Sequence, residues 1–163
     1  MNVAVTSPLR ARPALPPAYR YRHRVSFEET NLVGNVYFAR FVSWQGRCRE
    51  MFLLDHAPGV LTQLEGTLRL VTLNVGCEYF AELRALDEIE ISMSLAHQRQ
   101  HRIGLAFEYM LLRAGAETLA ARGTQEVACM QQTARGLVPC PVPGELMAAL
   151  EPFRAPPARW HAD

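Results

Sequence analysis

NVYFARFVSWQGRCREMFLLDH, residues 35–56, contains no proline and one glycine. Its large apolar side chains, Val36, Phe38, Val42, Trp44, Met51, Phe52 and Leu53, are spread around the segment rather than gathered in one narrow stripe. That spacing predicts one long helix from Asn35 to about His56, apolar on most sides and therefore largely buried. Pro58 and Gly59 mark its end, and a loop of roughly ten residues is expected beyond them.

On the N-terminal side, Tyr21, His23, Val25 and Phe27 alternate with Arg20, Arg22, Arg24 and Ser26, the period-two pattern of a strand with one wet face. A polar turn, residues 28–34, joins it to the helix. Four further alternating segments follow. Val71, Leu73, Val75, Cys77 and Tyr79 form one apolar row, and Ile89, Ile91, Met93 and Leu95 the next. Ile103, Leu105, Phe107, Tyr109 and Leu111 make a third, while Leu119, Ala121, Val127 and Cys129 outline the last, with Gly123 expected at a bend or bulge. Short connections at residues 98–101 and 114–116 predict hairpins. A strand, one helix and four antiparallel strands predict an α+β hotdog fold, in which a five-stranded antiparallel sheet wraps a long central helix. The exposed outer face and edges of such a sheet predict pairing of copies, with a homotetramer, a dimer of dimers, as the expected assembly.

The chain has 163 residues, suited to one domain. Residues 1–17, with Pro13, Pro16 and Pro17, read as a flexible N-terminal tail, 18–135 as the hotdog domain, and 136–163 as a C-terminal extension with a short helix at residues 145–150, lying on the surface. A net charge of +1 offers no field for nucleic acid or an anionic membrane. No run of eighteen apolar residues exists and the first twenty lack the apolar core of a signal peptide, so the expected location is the cytoplasm. Cys48, Cys77, Cys129 and Cys140 form no CxxC pair and are expected to be reduced, Cys77 and Cys129 packing as small hydrophobes.

Chemistry has few places to reside. Gly34 stands just before the expected helix N-terminus, so the backbone N–H groups of Gly34, Asn35 and Val36 are candidates for binding an oxyanion. The alternative is that Gly34 only permits a turn and Asn35 only caps the helix. At 3.6 residues per turn, Arg49 lies within roughly 40° of Phe38, Val42 and Gln45, on the buried side, while Arg40, Ser43 and Arg47 share a polar stripe. A guanidinium in an apolar cleft can stabilise charge developing on an acyl oxygen. Equally, Arg49 can form an internal ion pair with Glu50, Glu28 or Glu29, or a salt bridge between subunits. Thr72 and Asn74 either line a pocket or belong to a wet sheet face. The five histidines, including His161, and the serines show no metal-ligand or GxSxG context; no metal or cofactor is called for.

The run NLVGNVYF, residues 31–38, followed by WQGRCREMF, residues 44–52, resembles the hotdog acyl thioesterases of the 4-hydroxybenzoyl-CoA thioesterase superfamily, and within them the thioesterases of enediyne polyketide biosynthesis. The likeness covers about residues 18–135. In the broad superfamily the residue three before this glycine is a catalytic aspartate. Here it is Asn31, whose carboxamide has no useful basicity. The enediyne subgroup is similar in having asparagine there, and the resemblance implies that Asn31 and Arg49 are the catalytic pair. The subgroup often has a tyrosine one turn into the helix where this chain has Phe41.

The reaction so implied is hydrolysis of a linear conjugated β-ketoacyl thioester. Its carrier is the phosphopantetheine arm on the acyl carrier domain of an iterative polyketide synthase. Asn31 would orient water or the carbonyl; Arg49 and the backbone N–H groups of residues 34–36 would hold the oxyanion. Loss of carbon dioxide would then give a polyene ketone or hydrocarbon. Phe38, Phe41, Val42, Gln45, Val71 and Thr72 are the expected walls of the substrate channel. The rivals are an acyl-CoA thioesterase of primary metabolism, which Asn31 argues against, and a non-catalytic acyl-binding or carrier-docking module, which would release no thiol. A hotdog dehydratase fits less well, because no histidine lies beside a carboxylate on the loop or central helix.

Overall fold

The computed structural model describes residues 16–156. The expected tail, 1–17, falls almost wholly outside them, as does His161. The strands are β1 (Tyr19–Arg24), β2 (Leu68–Tyr79), β3 (Glu88–Arg99), β4 (Arg102–Arg113), β5 (Ala116–Thr133) and β6 (Gly136–Pro139). The helices are α1 (Ala39–His56), α2 (Pro58–Glu65) and α3 (Gly144–Leu150). The sheet runs β1-β3-β4-β5-β2, antiparallel throughout, and short β6 pairs with the end of β5. The hotdog arrangement of a curled antiparallel sheet on one long helix is therefore present, with a sixth strand beyond the expected five.

Alternation along β3 and β4 places Ile89, Ile91, Met93, Leu95, Ile103, Leu105, Phe107 and Tyr109 in the interior, where they meet Phe41, Trp44, Cys48 and Phe52 of α1. Burying such side chains is worth about 1.5–3 kcal/mol each before the entropy of ordering the chain is charged against it. The β4–β5 hairpin turns through Ala114 (φ 50°) and Gly115 (φ 77°), the two positive φ values that match the twist of the flanking strands.

Several expectations are corrected. The strand before the helix stops at Arg24; Ser26 and Glu29 then close a reciprocal capping box around a short 3-10 turn, which leaves Phe27 largely exposed. Pro58 does not open a loop but sits in the first turn of α2, where its missing N–H and fixed φ cost nothing. The apolar row of β2 is only partly covered: β2 is the sheet edge, and Leu73 and Val75 are exposed while Cys77 packs against the core and Tyr79 meets Phe41. Gly123 stays in register opposite Cys77 and Phe107, whereas the bulge lies nearby, where Ala120 has no partner between Met110–Leu119 and Tyr109–Ala121. After Gly136 the chain is not confined to the surface, because Val142, Leu146 and Leu150 are buried.

Candidate active site

Glu29 roots the loop that carries Asn31. Its backbone oxygen accepts the Tyr37 N–H at 3.0 Å, and Thr30 pairs with Val36, so residues 30–36 form a closed finger. At its tip Gly34 adopts φ +89°, a conformation that costs other residues about 1–2 kcal/mol. Within the finger the Asn31 N–H bonds to the Asn35 oxygen at 2.8 Å, and Asn31 Oδ1 accepts the N–H groups of Val33 (3.1 Å) and Asn35 (3.2 Å). Two backbone donors on one atom fix which end of the amide is oxygen. The end of Asn31 left for a substrate is thus Nδ2, a donor, on an exposed side chain.

This geometry corrects the oxyanion assignment. The finger delays α1, whose first helical residue is Ala39 with Phe38 as N-cap, so Gly34, Asn35 and Val36 are not its N-terminus and Asn35 does not cap it. Their N–H groups are also committed, Gly34 to the Asn31 oxygen (3.0 Å), Asn35 to Asn31 Oδ1 and Val36 to the Leu83 oxygen (2.8 Å). Among the described residues the N–H groups of Phe38 and Ala39 carry no hydrogen bond, and they point along the positive end of the helix dipole.

Arg49 sits farther along α1, partly buried, with Nη1 donating to Gln125 Oε1 of β5 (3.1 Å) and Thr72 Oγ1 of β2 (3.3 Å). Neither partner is charged. Burial lowers its pKa from the ordinary value, and Glu50 pulls weakly the other way. The suggested partner Glu29 is engaged elsewhere, with His23 (2.8 Å) and the indole N–H of Trp44 (2.7 Å). A cation with neutral partners retains capacity for an anion.

Ten residues at 1.5 Å rise separate Ala39 from Arg49, so about 15 Å of helix axis lies between the start of α1 and the Arg49 backbone. Among the described residues Asn31 and Arg49 share no hydrogen-bond partner: the Asn31 oxygen is held within the finger, and the guanidinium is turned to Thr72 and Gln125. Nor do the six channel residues share one open surface: Phe38 and Thr72 are exposed, Val42 and Val71 partly so, while Phe41 and Gln45 are packed inside. Gln45 Nε2 donates to the Gly76 oxygen at 3.1 Å, and its Oε1 is buried with no partner. Phe41 meets Tyr79 edge-on with ring centroids 5.0 Å apart, and the hydroxyls of Tyr79 and Tyr109 donate to the oxygens of Phe38 (2.9 Å) and Phe41 (2.6 Å). A cavity of about 760 Å³ lies against the opposite face of the sheet, at Ser92, Ser94, Ala106 and Thr124, and touches neither Asn31 nor Arg49.

Sequence reading missed Gln125, the buried acceptor for Arg49, and the tie from Trp44 to Glu29. The S-x-x-E spacing of Ser26 and Glu29 was a legible signal for the capped turn that holds Glu29, though not for Trp44. The four cysteines are free, and burial pushes the Cys48 thiol up to about 12.

The family model of the thioesterase-like superfamily matches residues 25–150, and the chain belongs to that family. It is a thioester hydrolase of hotdog fold. Among solved structures it is similar to the dynemicin thioesterase, described for induced-fit and allosteric effects upon polyene binding, at 48% identity and TM-score 0.83, over 85% of this chain and 99% of that one. That likeness bears out the enediyne-type resemblance carried by residues 31–52. The 1,4-dihydroxy-2-naphthoyl-CoA thioesterase from Synechocystis shares the fold at 20% identity and TM-score 0.67 (82% and 95% covered). So does 4-hydroxybenzoyl-CoA thioesterase from Pseudomonas sp. strain CBS-3, at 13% and 0.70 (82% and 99%). The curated proteins gave no match.

Proposed function

We propose that the chain releases a linear conjugated β-ketoacyl group from the phosphopantetheine arm of an acyl carrier domain in an iterative polyketide synthase. The observation that carries this reading is the state of Asn31, whose amide oxygen is taken by the Val33 and Asn35 N–H groups so that only its NH₂ is left to donate, with a half-buried Arg49 hydrogen-bonded to neutral partners in support. Such a site is built to hold developing negative charge rather than to remove a proton. The likeness to a thioesterase described with polyene supports the acyl class.

Water adds to the thioester carbonyl, the C–S bond breaks, and the thiol leaves with the proton. Asn31 Nδ2 and the Phe38 and Ala39 N–H groups would donate to the oxyanion or orient the water, with Arg49 adding charge. The freed β-keto acid then loses carbon dioxide. Because about 15 Å of helix axis lies between the start of α1 and the Arg49 backbone, the reading has Asn31 of one copy meet Arg49 of another. The open edge of β2, with Leu73 and Val75 exposed, supports assembly, and a homotetramer is the proposed form.

The test follows thiol release from a β-ketoacyl carrier-protein thioester, and from the matched acyl-CoA, by wild type, Asn31→Ala, Arg49→Ala and a mixture of the two variants with exchanged subunits. Each variant alone is expected to be nearly inactive, and the mixture to recover about a quarter of wild-type turnover, the share of sites that statistical pairing of copies rebuilds intact. No release by wild type from the carrier substrate overturns the substrate; no recovery in a mixture shown to exchange subunits overturns the shared site.

A further inference from the structure

Glu29 is a buried carboxylate, 8% exposed, two residues before Asn31. It accepts four donors: the Ser26 N–H at 2.8 Å, the Ser26 hydroxyl at 3.2 Å, His23 Nε2 at 2.8 Å and Trp44 Nε1 at 2.7 Å. Those donors come from β1, from the turn and from α1, and His23 itself packs on Trp44 with ring centroids 5.0 Å apart. The same residue's backbone oxygen takes the Tyr37 N–H and so closes the finger at its base. One residue therefore ties both ends of the finger, its backbone oxygen closing the base at Tyr37 and its side chain fixing that base to Trp44 of α1 and His23 of β1.

We infer that Glu29 is a positioning residue, which holds the Asn31 amide and the free N–H groups at the start of α1 in one geometry by anchoring the finger to Trp44 and His23. This rests on the reading that Asn31 acts on the thioester. A carboxylate suits the place because every group aimed at it is a donor; an amide of the same shape would turn an NH₂ toward one of them. A displacement of about 1 Å in such a constellation is expected to lower turnover more than binding, because it spoils the alignment of the donors with the reacting carbonyl.

The experiment compares full-length wild type, Glu29→Gln and Trp44→Phe by hydrogen exchange and by steady-state kinetics on the β-ketoacyl carrier thioester. In Glu29→Gln the amides of Val33 and Asn35, held by Asn31 Oδ1, are expected to exchange at least about tenfold faster, with Leu105 in β4 changed by less than about twofold. kcat should fall about tenfold or more, with KM within about threefold. Trp44→Phe, which keeps the charge, should shift both readouts in the same direction by less. Unchanged finger exchange in both variants overturns the inference, and so does equal loosening of finger and β4, the mark of a general loss of stability. Wild type that releases no thiol defeats only the function reading, because the exchange comparison still reports whether Glu29 holds the finger.

Discussion

Replacing Gly123 by alanine should damage the seat of α1. A Cβ at this position on β5 would overlap the side-chain amide of Gln45, and Phe107 closes the other side with its Cβ at 3.4 Å. Gln45 is fully buried, and its side-chain NH₂ joins α1 to the Gly76 oxygen of β2 at 3.1 Å. The added methyl must evict that amide. Overpacking of this kind costs about 1–3 kcal/mol. A buried donor left unpaired costs about 1–3 kcal/mol more, in part the same displacement counted twice. A net loss of roughly 2–4 kcal/mol, at about 2–4 °C per kcal/mol for a chain of this length, lowers the melting temperature by about 5–15 °C. Scanning calorimetry on Gly123→Ala, Gln45→Ala and the double variant measures it. Because Gln45→Ala removes the obstacle, the double variant should lose about 0.5–3 kcal/mol less than the sum of the singles. A Gly123→Ala melting point within about 2 °C of wild type, or strict additivity, would refute the reasoning that this glycine exists to admit Gln45.

Arg49→Met should lower thiol release by about 10²–10³-fold, as for removal of one oxyanion donor, yet move the melting temperature by less than about 4 °C, because the hydrogen bonds it surrenders are offset by relief of a half-buried charge. A large fall in melting temperature would make it structural instead. Glu29 gives a pH signature. Burial alone would raise its pKa, but the Ser26 N–H, Trp44 and His23 outweigh that and hold it below the ordinary value. Its contribution to stability is then present above the unfolded carboxylate value of about 4.3 and lost as pH falls through the lower folded value. Acid melts from pH 6 to 3 should therefore destabilise wild type more steeply than Glu29→Gln, and parallel curves would contradict the ion's role. Finally, Cys48, with its thiol raised to about 12 and no exposed surface, should resist a disulfide reagent at about pH 8 until the protein is unfolded, as counted by released thiolate.

The chain itself records a good deal of this. Alternation at 89–95 and 103–111 identified the inward rows of β3 and β4, since both are central strands and the period of two is local. The proline-free run at 35–56 identified α1, and residues 31–52 carried the family. Tertiary structure decided the rest. The same alternation in β2 does not mean burial, because whether a strand lies at the edge depends on pairings made by other strands. The start of α1 moved to Ala39 because Asn35 and Val36 are held by residues 83–84, far along the chain. Glu29 and Arg49, plausible ion-pair partners on paper, found different neighbours, since a buried polar group bonds to whatever the fold places within about 3 Å. The direction of α1 then carries the Arg49 backbone about 15 Å along the helix from Ala39, and its side chain to Thr72 and Gln125, neighbours that only the folded chain supplies.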